Sequence, residues 1–234
     1  MAYKVTGAPA KEPVTLTEAK AHLRIEQEID DEDDYVTALI TAAREQVEIY
    51  CNRALITQTV QLKTDRFPGF GAGDRQFAPY ADFGIPSPGY GSPGYNEMFF
   101  RAGIFLLPLP PTQSVASVKY LDRDGVLQTI DPSEYVLDEF NEPARLAPMP
   151  GFTWPLSRVA VLGPVINAVT VEFKAGYGDT ADTVPETLKL AMKIIIGHLY
   201  ENREAVLTGT RAQAIEIPFS ARALMQSKRV FSFV

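Results

Sequence analysis

The sequence predicts an α+β fold: N- and C-terminal helices packed as a small bundle, an inserted antiparallel β-sheet and an extended C-terminal tail. Three observations carry this reading. Apolar residues recur at helical spacing near both ends of the chain, within 36–50 and 188–199. Between those regions the period falls to two, in short segments rich in β-branched residues. The last thirty residues turn basic, with Arg211, Arg222, Lys228 and Arg229 against Glu216 alone, in a 234-residue chain whose net charge is −7.

Residues 1–14 read as an extended lead-in, because Pro9 and Pro13 oppose helix. Thr17 is the expected cap of a first helix running to about Ile25, with Glu18 well placed in its first turn. Next comes an acidic run: Glu26, Glu28, Asp30, Asp31, Glu32, Asp33 and Asp34. It leads into a helix from about Asp31 to Asn52, whose apolar face is Val36, Leu39, Ile40, Ala43, Val47 and Tyr50. Its length is roughly 30 Å. Thr57–Thr64 alternates as a strand. Residues 67–98 hold seven Gly, five Pro and seven aromatics, with Ser-Pro-Gly-Tyr at 87–90 and again at 92–95. Such a segment reads as a loop or a loose-tipped hairpin.

Strands are expected at Phe99–Leu107 and Val115–Leu121, and after the turn Asp122-Arg-Asp-Gly125 at Val126–Ile130. Tyr135–Leu137 and Ala168–Lys174 add two more, and 141–167 is expected to be irregular. The pairing should be mainly antiparallel, since short turns join several strands. Helix resumes near Pro185, with Leu188, Met192, Ile195 and Leu199 on one face. Leu190, Ala191, Ile194 and Ile196 carry apolar character around most of that cylinder, as expected of a helix covered on several sides. Leu190, Ile194 and Ile196, with His198, are therefore candidate subunit-interface residues. In the tail, Ser220–Ser227 reads as a short helix and Val230–Val234 alternates like a strand. The chain thus divides into a single α+β domain over 1–204 and a docking tail over 205–234. The domain is helical in 15–52 and 183–204, with a β-rich insertion over 55–175.

Chemistry is sparse. An acidic chain is poorly suited to gripping nucleic-acid phosphates over its whole surface. One cysteine, Cys51, excludes an internal disulfide framework and a multi-cysteine zinc site, and it reads as a buried, inert thiol. His198 and Glu201 lie one helical turn apart without a third ligand of suitable spacing, so His198 reads as structural, and His22 is remote in sequence. Asp122-Arg-Asp-Gly125 lacks the ligand series of a calcium loop, and Gly69-Phe-Gly-Ala-Gly73 lacks the Lys-Ser/Thr ending of a phosphate loop. No catalytic residue, metal site or cofactor is assigned. No apolar run approaches the ~20 residues that span a bilayer, and the first residues form no apolar signal segment. A protein made in the cytosol, with no membrane partner, is expected. What remains is suited to contact with other chains: a helix apolar nearly all round, an aromatic-rich insert and a basic tail with an apolar tip.

Three blocks carry a family resemblance. The first is Val14-Thr-Leu-Thr-Glu-Ala-Lys-Ala-His-Leu-Arg-Ile25, the acidic run, and Asp34 through Ile56. The second is Gly176-Tyr-Gly-Asp, Val184-Pro-Glu-Thr-Leu-Lys and His198-Leu-Tyr-Glu-Asn-Arg-Glu204. The third is Ile217-Pro-Phe-Ser-Ala-Arg-Ala-Leu-Met225, with Arg229 beyond. In this order they resemble the head–tail connector, or adaptor, proteins of tailed bacteriophages, and the middle resembles the β-rich insertion of the longer subfamily. Together the blocks span about half the chain.

The resemblance implies a non-enzymatic virion subunit at the head–tail interface, assembled in the host bacterial cytoplasm. It implies a ring, typically of twelve copies, below the portal protein and above a stopper or tail-side neck protein, with DNA passing through without specific binding. On that implication Phe219, Arg222, Leu224, Lys228, Arg229, Phe231 and Phe233 are candidate portal-docking residues. Asp30, Asp31, Asp33 and Asp34 are candidates for an acidic lumen or rim. Two other readings compete: another neck component such as a stopper or tail-completion protein, and a carbohydrate-binding or hydrolytic virion protein using the aromatic insert and a carboxylate pair.

Overall fold

The computed structural model describes residues 2–68, 103–155, 166–202 and 217–231. The expected loop from residue 69 on, the part of the second expected strand over 99–102, residues 205–216 and Phe233 lie outside them. The fold is α+β. Its helices are α1 (Leu16–Leu23), α2 (Asp33–Cys51), α3 (Glu186–Glu201) and α4 (Phe219–Gln226). Its strands are β1 (Ala2–Gly7), β2 (Gln58–Thr64), β3 (Phe105–Leu107), β4 (Thr112–Leu121), β5 (Leu127–Thr129), β6 (Tyr135–Asp138), β7 (Ala144–Pro148) and β8 (Val169–Ala175).

The helices form because each offers one apolar stripe to a shared core. Val36, Ile40, Ala43, Val47 and Cys51 of α2 meet Leu188, Met192, Ile195 and Ile196 of α3, with Ala19 of α1 and Ala221 and Met225 of α4 closing the cluster. Each large side chain removed from water there contributes about 1.5–3 kcal/mol. Thr15, not Thr17, caps α1. Its hydroxyl accepts from the Glu18 N–H at 3.2 Å, and the Glu18 carboxylate accepts from the Thr15 N–H at 3.0 Å, a complete capping box. α2 ends at Asn52, which takes the left-handed conformation at φ 54° and donates its N–H to the Glu48 carbonyl.

The β-rich insertion is a sandwich rather than one sheet. A five-stranded sheet has the order β1-β2-β8-β4-β5, and a three-stranded sheet has the order β3-β7-β6; every pairing is antiparallel. Val60 and Leu62 of β2, Val118 of β4, and Val169, Val171 and Phe173 of β8 share a second core with Phe105, Leu107, Tyr135 and Leu146 of the smaller sheet. Phe67 stacks on Trp154 at 5.1 Å between ring centroids, and the Trp154 indole N–H donates to the Gly103 carbonyl at 2.6 Å.

Two strands arise where none was expected. β1 forms in the N-terminal lead-in as an edge strand paired to β2. β7 forms inside the proline-rich stretch 141–167, with Pro148 at its end, where a missing N–H costs least. Neither has a strong period-two pattern of its own. Each is a strand because a neighbour supplies its hydrogen bonds.

Helical layer and sandwich meet at two crossings of the chain, 52–57 and 175–178. Leu55 and Ile56 belong to the helical core, while Ala54 belongs to the sandwich core. Tyr177 donates its N–H to the Leu55 carbonyl at 3.1 Å, and Thr57 donates to the Gly178 carbonyl at 3.0 Å. Gly176, at φ +133°, allows this approach: a Cβ there would lie 2.5 Å from the Ile56 backbone.

Candidate assembly surfaces

The junction between layers is held by half-buried Glu48 and buried Arg53. Glu48, on the last turn of α2, accepts from the Leu55 N–H at 2.9 Å, from Gln58 Nε2 at 2.7 Å and from Arg44 Nη1 at 2.8 Å. Burial raises its pKa above the ordinary carboxylate value, against the opposing pull of these donors. Arg53 sits just after α2. Its guanidinium forms a bidentate pair with Glu142 of the sandwich, its Nε donates to the Lys228 carbonyl, and it lies 5.9 Å from the Tyr177 ring centroid. The Arg53 hydrogen bonds hold the Glu142 carboxyl below its usual range.

Arg53 therefore ties residues 217–231, the described part of the expected docking tail, to both layers. α4 packs on α2 and α3 through Ala221 and Met225, both fully buried, with Leu224 partly buried beside them. The Tyr50 hydroxyl donates to Gln226 at 3.0 Å, and the Val230 N–H donates to the Cys51 carbonyl at 2.9 Å. Val230 and Phe231 are not in a strand. The candidate docking residues thus separate. Leu224 faces the core of its own chain. Phe219 is 87% exposed and Phe231 57% exposed, while the Arg229 guanidinium lies between the Tyr50 and Phe231 rings at 5.0 and 5.2 Å. Arg222 and Lys228 are half-buried, and the Lys228 carbonyl is the group used by Arg53. Ile49, 81% exposed on α2, is an apolar surface residue that periodicity alone did not single out.

The α3 candidates separate in the same way. Leu190 is 46% exposed, and Ile194 and His198 are half-buried, so these can reach a neighbour. Ile196 is fully buried in the helical core of its own chain, which corrects its assignment to an outer face. His198 Nδ1 lies 3.4 Å from Asn202 Nδ2.

Among the acidic candidates, Asp30, Asp31 and Asp34 are exposed, with Glu26 and Glu28. Asp33 is committed elsewhere: it pairs with Lys20 at 2.6 Å. Lys20 is 3% exposed and also donates to the carbonyls of Gln27 and Ile29, at 3.2 and 2.5 Å, pinning the α1–α2 loop from beneath. Burial pushes the Cys51 thiol up to about 11, so it is protonated at neutral pH. No described helix is long and apolar enough to cross a membrane.

Residues 13–68, which span α1, the acidic loop, α2 and β2, match the family of Phage gp6-like head-tail connector proteins. Three solved structures resemble the fold across its whole length, each comparison covering 100% of this chain and 98% of the other. One is described as the neck of an empty gene transfer agent particle computed with C6 symmetry (20% identity, TM-score 0.67). Another is the virion of a native gene transfer agent particle (19%, 0.67). The third is the neck of a native gene transfer agent particle computed with C12 symmetry (18%, 0.58). No curated protein matches the chain. The family match and the shared fold agree with the resemblance read from the sequence.

Proposed function

We propose that this chain is a structural subunit of the neck of a tailed phage or phage-like particle, a head–tail connector. The observation that carries the reading is the conjunction of the family match over 13–68 with a full-length fold likeness to chains from gene transfer agent necks. Copies stand in a ring, of twelve by analogy with the C12 neck. The ring joins the portal protein on one side to a stopper or tail-side protein on the other. Its role is to bind and position other chains, and its net negative charge suits DNA that passes without being held.

The portal-facing surface is the outer side of the C-terminal segment, with Phe219 and Phe231 as apolar anchors and Arg229 beside them. Aromatic and arginine side chains of this kind supply most of the energy of a protein interface. The docked α4 makes this surface a preformed ledge rather than a loose tail, which lowers the ordering cost of binding.

The test is production of particles with and without the chain, followed by imaging of the neck. Particles lacking the chain should fill with DNA and carry no tail. Complementation with Phe219→Ala plus Phe231→Ala should leave the folded protein in solution and off the particle. Tailed particles formed without the chain would overturn the proposal. Attachment of the double variant at wild-type level would overturn the assignment of the ledge.

A further inference from the structure

One face of the five-stranded sheet packs on the smaller sheet; among the described residues the other face carries half-buried and exposed polar side chains. Register places Lys4, Gln61, Glu172 and Ser117 in one row across it. Lys63, Thr170 and Lys119 form the row on one side, and Thr59, Lys174 and Ser114 the row on the other. None of these residues is buried. Four neighbouring strands thus carry one lysine each, across about 15 Å at ordinary strand spacing. The only acidic side chain in those rows is Glu172, so the face is +3 on a chain whose net charge is −7. Among the described residues none of the four lysines has an ion-pair partner.

The complementary surface is on the same chain. The α1–α2 loop exposes Glu26, Glu28, Asp30 and Asp31, with Asp34 in the first turn of α2 and Ile29 exposed in their midst. Buried Lys20 holds this loop in shape through two of its carbonyls and Asp33. The 19 residues of α2 rise about 28 Å between the loop and the junction where the chain enters the sheet. The loop and the junction therefore lie at opposite ends of α2, and among the described residues no ion pair joins the acidic loop to the lysine face.

We infer that the lysine face of one copy receives the acidic α1–α2 loop of the next. This deepens the connector reading and rests on it. A contact between two different surfaces of one chain repeats head to tail, and it closes into a ring when the rotation per copy divides a full turn. Like charges at each surface also oppose the face-to-face and loop-to-loop dimers that would cap such a ring.

A charge-swap experiment tests it. One variant carries Lys63→Glu, Lys119→Glu and Lys174→Glu. A second carries Asp30→Lys, Asp31→Lys and Asp34→Lys. Native mass spectrometry at low and high salt reads the oligomers of wild type, each variant and their equimolar mixture, and circular dichroism melting verifies that each is folded. The expected result is a wild-type oligomer that shrinks as salt rises, and a loss of at least about tenfold in association for each variant alone. The mixture should recover, because its two charge-reversed surfaces complement one another. A wild type that stays monomeric overturns the inference, as do folded variants that assemble normally or a mixture that does not recover. Fluorescence anisotropy with labelled duplex DNA covers the other polyanion: wild-type binding lost only in the lysine variant would assign the face to phosphates instead. Recruitment of wild type to particle necks, read separately, distinguishes failure of this contact from failure of the connector reading.

Discussion

At the scale of single residues, Arg53 does the most to join parts of the molecule that are far apart in sequence. One buried guanidinium meets Glu142 in the sandwich, the Lys228 carbonyl at the C-terminal end and the Tyr177 ring. Arg53→Ala should cost about 2–4 kcal/mol, because it leaves a carbonyl and a carboxylate without their donor; denaturant unfolding would measure it. The pair also has a pH signature. The Glu142 pKa in the folded chain lies below its ordinary value of 4.5, mainly through the Arg53 hydrogen bonds. Its contribution is therefore fully present above pH 4.5 and is lost as pH falls through the lowered folded value. The difference in melting temperature between wild type and Glu142→Gln should be constant near neutrality and shrink in acid. A difference that grew in acid would show that the pair does not act in this way.

At the scale of elements, α1 and α4 are each eight residues long and too short to stand alone. α1 is held by its cap as well as by packing. Thr15→Ala removes the hydroxyl half of the capping box, keeps the backbone N–H that donates to Glu18, and should lower stability by about 1 kcal/mol, readable as a shift in the unfolding midpoint. α4 is held by burial. Met225→Ala opens a cavity against α2 and α3 and should cost about 2–5 kcal/mol. Phe219→Ala on the opposite side of α4 should change stability by no more than about 0.5 kcal/mol. Calorimetry of the two variants separates the packing face of α4 from its outer face; equal losses would contradict the arrangement.

At the scale of the molecule, the chain is two cores joined by two crossings and strapped by the C-terminal segment. The division expected from sequence, a domain over 1–204 and a docking tail over 205–234, implies that removing the tail would spare the folded domain. The structure predicts the reverse, because deletion of 217–234 uncovers Cys51, whose Sγ lies 3.7 Å from the Met225 carbonyl, and removes the carbonyl that Arg53 uses. Limited proteolysis should find the truncated protein cleaved in the helical layer under conditions that leave the full chain intact. Much of this architecture was legible in the sequence. α2 and α3 appear as long periodic stripes, and β2 and β8 as alternating segments, because each has one face buried along its length. The candidate surfaces were legible only in part. Phe219, Phe231, Leu190, Asp30, Asp31 and Asp34 are exposed, whereas Ile196, Leu224 and Asp33 are occupied within the chain.

The sequence by itself determined the α+β class, the order of the principal elements and the acidic and basic ends, since these arise from periodicity and charge along a line. Tertiary structure alone decided that the β-rich insertion divides into two sheets, that β1 and β7 exist, and that α4 folds back onto α2 and α3. It also gathered four lysines from four strands onto one face of the larger sheet. Each of these depends on a residue's neighbours in space rather than its neighbours along the chain: a strand without its own pattern needs an adjacent strand's hydrogen bonds, and a short helix needs a core to cover.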